Sequence, residues 1–471
     1  MKPMPARGAA AALAALLVVS LLAAAPAAAQ GLRLVTGEHE EPPEAPGPPR
    51  QAAAALVCNG GQAGDFPCHD VDLVSFMPRP ALGLVDNHHL NDVWGWTDRE
   101  TGIEYALVGL SNGTAFVSLE DPIEPRWLGN LPTRSLAATW RDLKVYADHA
   151  FIVADVSGHG MQVFDLTRLR GVTTPQTWSA DAEYAGPGLG ASAGFFVTNT
   201  HNVAIDEETG FAYLVGTSTC NGGLHMVDVR DPRRPLFAGC FGETGYIHDT
   251  QCVVYRGPDA AFAGREICFN ANATDSFSIV DVTDKRRPQL LSRQRYAGQV
   301  YAHQGWLTED HRHFLLDDEI DELQNGHNTR TYVFDVADLS APVLVGFHES
   351  TTPATDHNLY VRGHHVYQAN YFAGLRVLEM IDLGQAELRE VAYFDTVPER
   401  EEVGFGSGAW SVYPFFASGV VIVSSTNEGL FVLRPLLHGD GEEHGSTAPG
   451  DDDERPTITL GEPRRAKRIG G

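Results

Sequence analysis

Short runs of four to six β-branched and aromatic residues, broken by clusters of Gly, Asn, Asp and Pro, recur along most of this chain. That is the spacing of strands and turns rather than of helices. One unit shows the pattern clearly. His201–Ile205 reads as a first strand, Ala212–Val215 as a second and Leu224–Val229 as a third; a turn at Asp231-Pro232…Pro235 then leads into a fourth strand, Leu236–Cys240. Proline suits the turn because it fixes φ and needs no partner in the ladder. The same turn recurs at Asp121-Pro122…Pro125, Asp284…Pro288 and Asp338…Pro342, and no helix of any length is expected.

The whole unit repeats seven times, beginning at Asn91, Arg141, His201, His248, His303, His357 and Ala409. The successive spacings are 50, 60, 47, 55, 54 and 52 residues. Repeats of this length with four strands each predict the blades of a β-propeller. The seventh copy, SGAWSVYPFFASGVVIVSSTNEGLFVLRP, holds only three strands, whereas VDLVSFMPRPAL from Val71 resembles the fourth strands of later copies. Ring closure follows: residues 71–77 complete the last blade, and the edges that an open array would leave unpaired are removed. The expected fold is all-β, a seven-bladed propeller closed by an N-terminal strand.

Composition adds the setting. Of 471 residues, 61 are acidic and 34 basic, a formal charge of -27. This excludes nucleic acid and anionic membrane surfaces as partners, both of which need clustered Lys and Arg. Lys2 and Arg7 precede an Ala/Leu/Val run from Ala9 to Ala25 and small residues through Gln30. That is the series of a cleaved secretory signal, with cleavage expected near Ala29 or Gln30. No Cys follows the run and no second long apolar segment exists, so neither a lipid anchor there nor a transmembrane segment is expected. Residues 31–56 are rich in Pro, Glu and Ala and read as a linker. Residues 57–436 form the propeller, and 437–471 read as a disordered charged tail. Six cysteines fall in close pairs, Cys58 with Cys68, Cys220 with Cys240 and Cys252 with Cys268. Counting leaves their connectivity open, but the repeat favours local pairing, and an exported chain favours disulfides over thiol chemistry.

Several longer segments resemble one family. CNGGQAGDFPCHDVDLVSF, WGWTDRETGIEYALVGLSNGTAFV, WRDLKVYADHAFIVADVSGHGMQVFDLTRLR, HQGWLTEDHRHFLLDDEIDE, NTRTYVFDVADL and GAWSVYP are similar to the choice-of-anchor B proteins, exported from bacteria. The third strands MVDV, SIVDV and YVFDV look like that family's LVIVD repeats, and the likeness spans roughly residues 57–435. The resemblance implies a secreted or surface-attached propeller of no established biochemical activity. No LPxTG-type motif, apolar anchor helix or sorting domain is recognised near the C-terminus, and LPTRS from Leu131 lies inside the repeats. Secretion, or residence in the periplasm, is expected rather than attachment.

Candidate chemistry follows from register. His201, His248, His303 and His357 each begin a first strand; Asn202, Asp249, Gln304 and Asn358 come next, and Asn91-Asp92 and Arg141-Asp142 hold the same places. Repetition sets these side chains in a ring at the mouth of the central channel. The candidate ligand-binding set is Arg141, Asp142, His201, His248, Asp249, His303 and His357. The ordinary use of such residues is to hydrogen-bond the neighbouring blade. Imidazoles and carboxylates converging there can also ligate a metal; the candidates are His248, His303 and His357 with Asp317, Asp318 and Glu319. The last three belong to the run Asp317-Asp318-Glu319-Ile320-Asp321-Glu322 on the same face, where oxygen donors can hold calcium. Asp155 and His159 are weaker candidates. Trp94, Trp96, Trp140, Trp306 and Trp410 lie in or near first strands, either packed between blades or forming a platform for sugar or peptide. No nucleophile elbow, phosphate loop or HExxH motif occurs.

Two function classes remain. One is an exported binding or scaffolding propeller for a protein, glycan or small ligand. The other is a metal-dependent hydrolase or oxidoreductase at the channel mouth, with His248, His303 and His357 as ligands and Asp249 or Asp318 as base. The cofactors in view are calcium or a transition metal.

Overall fold

Each predicted repeat forms its own antiparallel sheet. The computed structural model describes residues 53–85, 87–186, 196–400 and 403–437; the expected signal segment, most of the linker and the charged tail lie outside them. Within them seven sheets are present. Their innermost strands are Leu90–Thr97, Arg141–Tyr146, Asn202–Asp206, Asp249–Val254, Ala302–Leu307, Asn358–Arg362 and Ala409–Tyr413, called here blades 1 to 7. Each of these strands packs against the next, and the seventh packs against the first, so the ring is closed.

Sequence chemistry sets the blade's details. In six blades the third strand carries a register shift against the fourth, for instance between Met226 and Val227, Ile279 and Val280, and Val333 and Phe334. A bulge recurring at one place bends these six blades alike. The turn aspartates cap their turns: Asp121, Asp231, Asp284 and Asp338 each accept a backbone N–H two residues on. Apolar residues of facing sheets fill the space between blades. Phe269, Phe277, Phe314 and Phe334, for example, are fully or almost fully buried between blades 4 and 5.

Closure occurs where it was expected. Val71–Pro78 pairs with Gly429–Pro435 as the fourth strand of blade 7. Phe76 stacks against Phe431 with centroids 4.4 Å apart, and Phe66 packs on Phe431 and Phe394, each at 5.4 Å. Phe66–His69 adds a strand to the outer edge of blade 6, so the N-terminal segment crosses the joint between the last two blades. Ala53–Leu56, at the end of the stretch read as linker, instead pairs with Val71–Pro78 as a fifth strand. Ladder bonds along that open edge outweigh the weak strand preference of its alanines.

All three local disulfides form: Cys58–Cys68, Cys220–Cys240 and Cys252–Cys268. Cys252 and Cys268 stand directly opposite in adjacent strands of blade 4. The α-helix among the described residues is a five-residue turn, Asp321–Asn325, in the acidic loop of blade 5. No helix among them is long and apolar enough to cross a membrane.

Candidate functional site

The first residues of the seven inner strands do converge. His201, His248, His303 and His357 form a staircase of imidazoles, with successive centroids 4.3, 4.2 and 4.5 Å apart, and Trp410 continues it at 4.7 Å from His357. The expectation of an open mouth fails here. These histidines are 8%, 1%, 1% and 3% exposed. Loops from neighbouring blades cover them: Tyr301 lies over His248 at 5.4 Å, Tyr371 over His357 at 4.7 Å, and Ile320 and Phe405 belong to the same apolar cover. Among the described residues, these loops shield the imidazoles from solvent on that side.

Much of this ring stitches blades together. His248 Nδ1 donates to the carbonyl of His303 at 2.9 Å, and His357 Nδ1 donates to that of Trp410. Asn202 and Asn358 donate to the carbonyls of His248 and Trp410, while Asp142 and Gln304 accept the backbone N–H groups of Val203 and Leu359. His201 pairs with Asp155 at 3.1 Å. The Arg141 guanidinium bonds the Leu110 carbonyl and the ring of His159, and burial pulls it down to about 9. These bonds fix the angle between neighbouring blades.

One layer further down, the channel is charged. Lys144 lies 3.2 Å from Asp92 and 2.5 Å from Asp142, with its ammonium over the Trp94 ring. Asp249 shares the space without an ion pair of its own among the described contacts. Burial first, and the Asp142 charge second, push its carboxyl up to about 7, although Lys144 opposes them.

The acidic loop of blade 5 turns inward under the imidazoles. Asp317 Oδ1 accepts from Gln304 N at 2.8 Å and from His303 Nδ1 at 3.2 Å. Glu319 accepts from Tyr371 and holds its oxygens 3.7 Å from His303 Nε2 and 3.9 Å from His357 Nε2. Asp318, grouped with them on sequence, faces elsewhere. Its oxygens accept from Tyr296 OH at 2.7 Å, Val300 N at 2.9 Å and Tyr301 N at 2.5 Å, and it stands outside the group formed by His303, Glu319 and His357. His248 adjoins His303 in the staircase, but the compact group of potential ligands is His303, Glu319 and His357.

The accessible cavity lies at the other end of the channel. About 800 Å³ opens there between the far ends of the inner strands. One wall is aromatic: Trp94, Trp306, Tyr360, Tyr413 and Phe415 meet at 5.0–6.2 Å, mostly edge to face. Trp306, Tyr413 and Phe415 are only half-buried. Gly95 makes this packing possible, since a Cβ there would stand 2.1 Å from the Tyr413 ring. The facing wall, from blades 2 to 4, is polar, with Lys144, Asp206, Asp249 and Gln251 inside and the pair Arg256–Glu208 at the rim.

Sequence reading found the imidazole register but placed the opening at the wrong end. It passed over Lys144, which was legible two residues after Asp142 on the same strand face, and Asp356, immediately before His357. Tyr360, Tyr413 and Phe415 left no sequence signal apart from their repeat position.

Neither a family model nor a curated protein matches the chain. Solved structures do. The Cps50 (Swd1) β-propeller domain of Myceliophteria thermophila is 11% identical with a TM-score of 0.46, covering 74% of this chain and 98% of that one. The WD40 repeats of RRP9 are 10% identical at a TM-score of 0.47, covering 79% and 100%. The computationally designed Ika8 protein is 10% identical at 0.45, covering 81% and 97%.

Proposed function

We propose that this chain is an exported binding propeller that takes a carbohydrate in the cavity at the open end of its channel. The split lining carries the reading. A sugar ring presents an apolar C–H face and a rim of hydroxyls. Half-exposed Trp306, Tyr413 and Phe415 offer a surface for the first, and Lys144, Asp249 and Gln251 offer donors and acceptors for the second. A volume of about 800 Å³ lies within the range of small-ligand sites and accommodates two or three sugar rings. The sealed imidazole end favours binding over catalysis at that end.

Export supports the same reading. In this proposal residues 1–30 are a signal peptide, the segment up to Gln51 is a linker, and residues beyond the propeller form a polar tail; the LVIVD-like third strands would make the chain a choice-of-anchor B protein. Three disulfides fit an oxidising compartment.

The test is an oligosaccharide array followed by calorimetry on the best binder. Trp306→Ala is expected to weaken binding at least tenfold while the fold stays intact by circular dichroism. Absence of any oligosaccharide binding below millimolar, or binding indifferent to Trp306→Ala, sinks the carbohydrate reading and turns the search to peptides.

A further inference from the structure

The covered end of the channel gathers more buried carboxyl groups than its surroundings pair with cations. Asp317, Asp318, Glu319, Asp321, Glu322 and Asp356 are each no more than 1% exposed. Among the described residues no Lys or Arg forms an ion pair with Asp317, Asp318, Asp321, Glu322 or Asp356. Hydrogen bonds account for part of the set: Asp318 by Tyr296 and two amides, Asp321 by Tyr332 at 2.8 Å. They do not account for the rest. Asp317 Oδ2, both oxygens of Glu322 and both oxygens of Asp356 are buried without any hydrogen-bond partner, and so is His303 Nε2. An ionised carboxylate held this way costs several kcal/mol unless a cation answers it or the group takes up a proton.

The imidazoles are prepared for the same cation. A carbonyl can only accept, so His357 Nδ1, bonded to the Trp410 carbonyl, must carry its proton. With the ring neutral, the lone pair falls at Nε2. His303 Nδ1–H donates a hydrogen bond to Asp317, the carboxylate–histidine arrangement that orients metal-bound imidazoles and raises their basicity. Both Nε2 atoms point at Glu319, and the three ligand atoms lie within 4.8 Å of one another. Bonds of about 2.0–2.2 Å to one tetrahedral ion set the ligand atoms roughly 3.3–3.6 Å apart, so a closure of up to roughly 1.5 Å across the widest pair completes the site.

We infer that His303 Nε2, His357 Nε2 and the Glu319 carboxylate hold one divalent transition-metal ion, with Asp317 and Asp356 balancing its charge. Two nitrogen donors select zinc, manganese or ferrous iron over calcium, which takes oxygen. On the channel side the imidazoles border a space of about 20 Å³, enough for one water as a further ligand but not for a substrate. The ion therefore joins blade 5 to blade 6 across the covered end. It is distinct from the carbohydrate cavity.

The experiment uses the untagged full chain, stripped with chelator and titrated with Zn²⁺ and Mn²⁺, with metal content read by mass spectrometry before and after. About one equivalent per chain is expected. Asp317→Asn should lower affinity 10- to 100-fold, Glu319→Gln and His357→Ala further, while Trp306→Ala leaves it unchanged. Cu²⁺ loaded into the wild-type chain should show nitrogen coupling in its electron paramagnetic resonance spectrum, a readout that survives if a variant fails to fold. The inference is overturned if no ion binds up to millimolar, or if Glu319→Gln and His357→Ala retain full affinity. Calcium binding that is lost only on Glu322→Gln or Asp356→Asn, with no nitrogen coupling from copper, overturns it too, in favour of an oxygen-only site.

Discussion

Replacing Asp249 with Asn should stabilise this protein most at pH 8, less at pH 5, and not at all below about pH 4. The carboxyl stands at about 7 in the fold, against 3.8 for an ordinary Asp, because of burial and the nearby Asp142 charge. Three pH units at 1.36 kcal/mol each set an upper bound of about 4 kcal/mol for the cost of ionising it in place. The side chain is half-buried at the cavity wall, so water screens it, and about 2 kcal/mol is the working figure. The sign follows from proton uptake. Near pH 6 the folded protein holds this proton and the unfolded chain does not, so stability falls as pH rises from about 4 through 7. Asn keeps the short bond to Thr250 N and removes the charge. Lys144→Met should act oppositely. It strands the Asp142 carboxylate, which Lys144 and hydrogen bonds hold below the usual range despite its burial, and should cost about 3–5 kcal/mol at pH 8 and less at pH 5. Urea unfolding followed by tryptophan fluorescence at pH 5, 6.5 and 8 measures both, and the difference from wild type cancels the pH dependence of the acidic loop. Equal effects at all three pH values, or destabilisation by Asp249→Asn that grows with pH, would refute the reasoning.

Two further outcomes test the closed ring. Phe431→Ala removes a fully buried ring that touches Phe76, Phe66 and Phe394 at once, and should cost about 3–5 kcal/mol in the same assay; limited proteolysis should then cut first near the N-terminal clasp rather than in blades 3 to 5. Converting Cys252 and Cys268 together to Ala opens a 16-residue separation within one blade and should lower stability by about 2–4 kcal/mol without altering carbohydrate binding.

The repeat was legible because the blades share apolar alternation and four of them share an aspartate at the turn with a proline after it. The clasp at Val71–Pro78 was legible for a related reason, since a seventh copy with three strands requires a fourth from elsewhere. Register also brought His303, His357 and the acidic loop to one face. What it could not give was depth. Whether an imidazole at the start of an inner strand meets solvent depends on the loops of other repeats, and Tyr301, Ile320, Tyr371 and Phe405 come from separate loops. The two neighbours Asp317 and Asp318 show the same limit. Strand alternation sends one toward His303 and the other toward Tyr296, and only the loop before blade 5 decides which is satisfied. The open cavity escaped notice because its aromatic wall is assembled from blades 1, 5, 6 and 7, far apart in the chain.

Hydrogen exchange of the chain with and without the best-binding oligosaccharide tests the central claim, that the ligand occupies the aromatic end of the channel. Protection should appear in Trp94–Thr97, Gln304–Leu307 and the segment from Tyr413 to Phe415. Protection confined instead to the loops over the imidazole staircase, around Tyr246, Tyr301 and Ile320, would contradict it.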